Sequence, residues 1–566
     1  MRYLIICSLF TILILGGVST ANSQSTTGAA LLEAHYVDPL EKVFRETAFF
    51  MEEEALAEVA RGEHASLQFA VRCAQPVQGL KAKVDFIRQG SSSLLPDKVG
   101  YVGYVKVGRS TPRPSRDRLL PMSGLYPDPI LEQETIDLPA FATQPVWISV
   151  PIPLDASPGI YEGQVTFSGM MNGWATSTSR PFRIRVYPVN VEKTSLWVTN
   201  WYTLSPNVLA HLNGGEPVEA YTDAYWKYAR LLARTMAAYA QNMALVNPLQ
   251  HTEFSMQKGQ YAFDFTRFDQ TVQLFIDEGV VGRIEGGHIG RRASDWTSPF
   301  VVGVPVVEND STYFLRLPIS DDKAKSFYSQ FFPALVQHLR DKGWYSIYTQ
   351  HIADEPIDEN FQSYIDIARF IKSLAPDIKI IEATHSKNLN NLVDVWVPQL
   401  NFFADYYDFY KERMGDGDEA WFYTCLAPQE EYANRFIELP LIKTRILHWI
   451  NYRYDSPGYL HWGFNFWRND DPFGETTGII VESGNVLPGG DAWICYPARD
   501  KILSSIRLEA MRDGIYDYEL LKMAAVKDPE KIKELARQVV YRFDLYDMNV
   551  QAFREKRRML LELLSE

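Results

Sequence analysis

Four cysteines in 566 residues leave this chain without a disulfide framework. They stand at Cys7, Cys73, Cys425 and Cys495, and no C-x-x-C pair is present to hold a structural zinc. Basic residues are also in deficit. The 56 Lys and Arg against 70 Asp and Glu give a formal net charge of −14, which works against nucleic acid as the main ligand. No G-x-G-x-x-G, Walker, H-E-x-x-H or G-x-S-x-G sequence occurs, so dinucleotide, nucleotide, zinc-peptidase and serine-hydrolase chemistry lack their signatures. No cofactor and no metal are expected. After Gln24 no apolar run approaches the length of a membrane span.

What is abundant is apolar and aromatic: 46% of residues are hydrophobic, with 13 Trp and 31 Tyr. That suits globular domains, more than one at this length, and rings of these types recur where flat, partly apolar ligands bind. The chain opens with an early Arg2, a short apolar stretch and small residues at Ala21-Asn22-Ser23, the pattern of a secretory signal peptide over residues 1–23. Cys7 lies too early to carry a lipid, so a soluble exported protein, periplasmic or secreted, is expected.

From residue 30 to 190 apolar side chains take every second position, as in Leu67, Phe69 and Val71, in Tyr161, Val165 and Phe167, and in Phe182, Ile184 and Val186. Period two with turn signals such as Ser157-Pro158-Gly159 predicts an antiparallel β-sandwich, more plausibly a scaffold than a sugar-binding module. From residue 195 to 480 strands alternate with helical stretches. Eight candidate strands can be counted, at 196–202, 244–248, 279–285, 345–351, 379–384, 393–397, 420–424 and 458–464, and they predict a (β/α)8 TIM-type barrel. Residues 481–566 read as a Gly/Pro-rich loop followed by amphipathic helices. In that segment Arg507, Glu509, Arg512, Asp513, Asp517 and Glu519 are expected to form a structural ion network.

The fourth strand ends in His351-Ile352-Ala353-Asp354-Glu355-Pro356. Adjacent carboxylic acids at the exit of a barrel strand would raise the pKa of at least one of them, leaving a protonated acid available near neutral pH. An acidic helix start with no chemistry explains the same letters. Other strand ends supply groups for a pocket: Trp201 and Tyr202, then His288 and Arg291, then His385, Tyr423, and finally Trp462, Asn465 and Trp467. No member is decisive alone; their convergence carries the reading.

The Asp354-Glu355-Pro356 corner, the Gly/Pro-rich loop before Tyr496-Pro497, and Arg507-Leu-Glu-Ala-Met-Arg-Asp-Gly-Ile-Tyr-Asp-Tyr-Glu519 together resemble glycoside hydrolase family 123, the β-N-acetylgalactosaminidases. The resemblance covers almost the whole mature chain. It implies a carbohydrate or glycolipid substrate, exo-removal of terminal β-linked N-acetylgalactosamine, and retention through the substrate's own acetamido group. Glu355 would then be the general acid/base, and Asp354 would orient the acetamide and stabilise an oxazolinium ion. Two other readings stay open: a glycosidase acting on another sugar, and a non-catalytic glycan-binding surface protein.

Overall fold

The computed structural model describes residues 31–308, 311–389, 391–468, 471–480 and 483–566; the expected signal peptide lies outside them. The N-terminal part is two stacked sheets. One has five strands in the order Glu33–Val37, His64–Arg72, Thr143–Pro151, Lys98–Val107 and Gly124–Leu131. The other is built on the long hairpin Gly159–Met171 and Trp174–Asn190, flanked by Val77–Gln89 and by Leu56–Arg61. The last of these pairs in parallel, so the sandwich is not purely antiparallel. Leu67, Phe69, Val71, Tyr161, Val165, Phe167, Phe182, Ile184 and Val186 fill the space between the sheets, as their period-two spacing requires.

The five-stranded sheet turns its other face inward as well. Val102, Val105, Tyr126, Ile130 and Trp147 join the core of the following domain, which makes the sandwich a packing partner. Asp128, fully buried on this sheet, is gripped by the Arg507 guanidinium through Nε and Nη2, each at 2.8 Å. Arg507 also donates to the carbonyls of Arg435, Gly490 and Trp493. Nearby, Glu509 binds Lys98 at 2.5 Å and Arg512 at 2.8 Å, while Asp517 meets Arg445 at 2.7 Å and Arg557 at 2.8 Å. These charges fasten the helix Ile506–Lys527 to both domains. Asp128→Ala is expected to lower stability by about 3–5 kcal/mol, because it strands a buried guanidinium; denaturant unfolding of the purified variant checks this.

In the second domain the parallel strands are Trp197–Asn200, Met243–Leu245, Arg283–Gly286, Tyr348–Gln350, Lys379–Thr384, Val395–Pro398, a seventh in two pieces (Glu419–Ala420 and Phe422–Thr424), and Gly458–His461. They fall inside or within a residue or two of the expected segments. Among the described residues, however, the ladder does not close into one barrel. It forms two arcs, the second strand through the first piece of the seventh in one, and the second piece of the seventh, the eighth and the first in the other. Where the first and second strands meet, the side chain of Asn242 accepts from the Val198 amide at 2.8 Å and donates to the Leu196 carbonyl at 2.9 Å. The seventh strand breaks at the fully buried Trp421. The eight expected strands are thereby present as two parallel arcs, without the continuous ladder of a closed barrel among the described residues.

A second difference lies between the third strand and the helix Asp322–Asp341, a stretch to which periodicity assigns no element. The chain there builds an antiparallel sheet of Gly290–Arg292, Phe300–Glu308 and Ser311–Leu317. It places a loop, residues 293–299, beside the acidic corner. The fourth strand is also shorter than expected, since Tyr345–Ile347 is a 3-10 turn. The next helix starts at Phe361 and not at Pro356, because the Asn360 carboxamide first takes the Ile357 amide, at 3.0 Å.

Candidate active site

Asp354 and Glu355 follow the fourth strand in a sharp bend rather than a helix. Glu355 sits at φ +50°, a left-handed conformation that costs a non-glycine residue roughly 1–2 kcal/mol and persists only where neighbours impose it. The neighbours are identifiable. The Glu355 amide donates to the Ala383 carbonyl at 3.0 Å, and the amides of Ile352 and Ala353 donate to one oxygen of Glu382 at 2.8 and 3.0 Å. Arg292 closes the bend from the other side, donating to the carbonyls of Asp354 at 3.1 Å and Glu355 at 2.7 Å.

Beneath the bend lies a buried charge relay. His351 donates to Glu285 at 2.7 Å and to Glu382 at 2.9 Å, all three side chains being fully enclosed. Burial alone would lower its pKa, but the two carboxylates raise it to about 10, so the ring is an imidazolium at neutral pH. The other oxygen of Glu285 accepts from Thr199, and Trp201 Nε1 donates to Glu285 at 2.6 Å. A single relay therefore sets both the acid pair and the indole of Trp201. His288, His351 and Glu382 come close enough together to suggest a cation site. With a carboxylate on each nitrogen, His351 has no lone pair to offer, and the cluster is better described as an ion-pair network.

The acid pair opens into a cavity of about 410 Å³ lined by Trp201, Asp354, Glu355, Ala383, Tyr423, Cys425, Leu426, Leu460, Trp462, Arg468, Ile479, Ile480 and Leu487. Glu355 Oε1 accepts from the Tyr423 hydroxyl, and His385 Nε2 lies 3.4 Å from the same oxygen and 2.8 Å from Tyr423 Oη. Burial, then the Glu355 charge, pushes the Tyr423 phenol well up, so it stays protonated and donates. Trp462 lines the same cavity. Its Nε1 donates to the buried Asp491 at 3.1 Å, and desolvation raises that carboxyl to about 7.

Two adjacent carboxyls in one cavity do not titrate alike. Burial, and then the charge of Glu355, raises Asp354 to about 6. Burial would raise Glu355 too, but hydrogen bonding and charge from His385, the Tyr423 hydroxyl and the Arg292 charge outweigh it and hold Glu355 below the usual range. The Asp354 side chain still exposes 47% of its surface, so desolvation acts on it less than full enclosure would imply. The pair is a unit that shares its first proton.

Of the residues expected at the site, Trp201, Asp354, Glu355, Tyr423 and Trp462 line this cavity, and His288 and His385 stand beside the acids, His288 at 3.8 Å from Asp354. Four do not reach it. Arg291 points to solvent while Arg292, one residue on and on the opposite face of its strand, turns inward. Tyr202 packs on Phe275 and donates to the Leu245 carbonyl at 2.8 Å. Asn465 bridges both backbone groups of Thr203, and Trp467 is buried with Nε1 on the Cys495 carbonyl at 2.9 Å. Arg468, Ile479, Ile480 and Leu487 were not anticipated, since they come from the loop after the eighth strand, where no period marks them.

The glycoside hydrolase 123 catalytic domain model matches residues 214–524, and the glycoside hydrolase 123 N-terminal domain model matches residues 46–169. This chain belongs to glycoside hydrolase family 123. The fold agrees: a family 123 glycoside hydrolase from Clostridium perfringens, described as hydrolysing glycolipid glycans, superimposes with a TM-score of 0.71 at 17% identity, covering 94% of this chain and 97% of that one. A Parabacteroides merdae β-glucuronidase (TM-score 0.28, 11% identity, 81% and 49% coverage) and a Thermotoga petrophila endo-β-1,4-mannanase (0.32, 10%, 58% and 77%) are too distant to carry an argument. No curated protein sequence matches the chain. The family makes it a glycoside hydrolase acting on carbohydrate. Among the described residues no helix is long and apolar enough to cross a membrane.

Proposed function

We propose that this glycoside hydrolase is an exported, exo-acting enzyme that removes terminal β-linked N-acetylgalactosamine from glycans or glycolipids, with retention and with the substrate's acetamido oxygen as nucleophile. One observation carries the reading: among the described residues lining the cavity, Asp354 and Glu355 are the only carboxylic acids. A retaining enzyme with its own nucleophile sets two carboxylates roughly 5–5.5 Å apart across the scissile bond. Neighbours on one bend flank the sugar from one side. Substrate assistance needs only that arrangement: Glu355 protonates the leaving oxygen, while ionised Asp354 accepts the acetamide N–H and balances the oxazolinium charge. The walls of Trp201, Trp462, Leu460 and Ile480 suit a sugar face and an acetyl methyl.

The enzyme is expected to cleave an aryl β-N-acetylgalactosaminide, to release the β-anomer first as read by proton NMR, and to bind a thiazoline analogue of the oxazolinium ion tightly. A covalent glycosyl-enzyme trapped by a fluorosugar, or release of the α-anomer, would sink the mechanism. Efficient turnover of sugars without an acetamido group would sink the substrate.

A further inference from the structure

In the proposed reaction the leaving oxygen collects its proton from Glu355, so the rest of the substrate departs across the Glu355 side of the cavity. On that side, outside the cavity lining, stands Trp296. His385 links the two, 3.4 Å from Glu355 and with its ring centroid 5.8 Å from that of Trp296. Arg292, which donates to the Glu355 carbonyl, lies 3.8 Å over the indole. Yet 47% of Trp296 remains exposed.

An exposed indole on a loose loop would be unremarked, but this one is fixed. Its carbonyl accepts from Arg292 Nε at 2.8 Å and Asn360 Nδ2 at 3.2 Å. The loop closes on itself through Asp295 Oδ1, which accepts the Thr297 amide at 3.0 Å and the Ser298 hydroxyl at 2.9 Å. Beyond His385 the rim continues into Phe402, whose ring centroid lies 4.7 Å from the imidazole. A rigid, half-open aromatic surface beside the proton donor binds a flat, partly apolar group at little entropic cost.

We infer that Trp296 is the platform for the first sugar of the leaving group, stacking the C–H face of a pyranose ring and making the enzyme selective for oligosaccharide aglycones. The inference rests on the glycosidase reading above. Its test compares a methyl β-N-acetylgalactosaminide, whose leaving group is too small to reach Trp296, with an oligosaccharide carrying the same terminal sugar on a hexose. Trp296→Ala should lower kcat/KM for the oligosaccharide about tenfold, leave the methyl glycoside within about twofold, and leave thiazoline affinity unchanged, with Trp296→Phe recovering part of the loss. Equal effects on both substrates, or none on either, overturn it. So does a loss confined to a ceramide-linked glycan while the free oligosaccharide is unaffected, which would make the surface a lipid contact. If the wild-type enzyme cleaves neither substrate, the glycosidase reading falls, a result distinct from a failure of Trp296→Ala to discriminate.

Discussion

Glu355→Gln is expected to fold normally and to lose about 10²–10⁴-fold in kcat, the usual contribution of a positioned general acid. The amide keeps the side chain's size and can still accept from Tyr423, so the bend held by Arg292 and the Ala383 carbonyl should survive. What disappears is a proton that can be given up. The loss should therefore depend on the leaving group: largest for alkyl and sugar aglycones, smallest for dinitrophenyl, which departs without protonation. A uniform loss across that series would indicate that Glu355 acts on the architecture of the site and not on the leaving oxygen. Thiazoline binding measured in parallel separates the two, because the analogue needs the cavity but no proton transfer to an aglycone.

Asp354→Asn should cost about 10²–10³-fold, the range for deleting one preorganised charge-stabilising group, and should also change the pH profile. The sign follows from the shared proton. With Asp354 raised to about 6 and Glu355 held lower, both carboxyls are ionised above about pH 6 and no proton is left for the leaving oxygen. In the proposed reaction kcat/KM, which reports the free enzyme, is therefore expected to fall as the pH rises through about 6. Tyr423 and His385 keep Glu355 as the anion until substrate arrives; an acetamide N–H on Asp354 then favours its anion and moves the shared proton to Glu355. In Asp354→Asn only Glu355 is left to hold that proton, so the limb should move to lower pH. If it stays where it was, another group titrates, and the partnership between the two acids is not the one described.

Much of this site is readable because it is local. Asp354 and Glu355 are covalent neighbours, so no error in strand boundaries can separate them. Trp201, Tyr423 and Trp462 sit at or just past strand ends, and all strands of a parallel sheet point those ends the same way. The failures have a common origin too. Arg291 and Arg292 differ by one position, and which of them faces inward depends on the register of a short strand that no period announces. Asn465 and Trp467 lie past the eighth strand like Trp462, but their partners, Thr203 and Cys495, are distant in sequence and hold them out of the cavity.

Amino-acid order alone determined the architecture in outline and the acid pair, because alternating burial is written into residue type and adjacency into the covalent chain. Only the folded molecule decided that the parallel strands form two arcs, that the imidazolium of His351 underpins the corner, and that Trp296 stands beside Glu355 through His385. Those outcomes join residues tens of positions apart through hydrogen bonds and ring contacts, and such partners are chosen by packing in three dimensions.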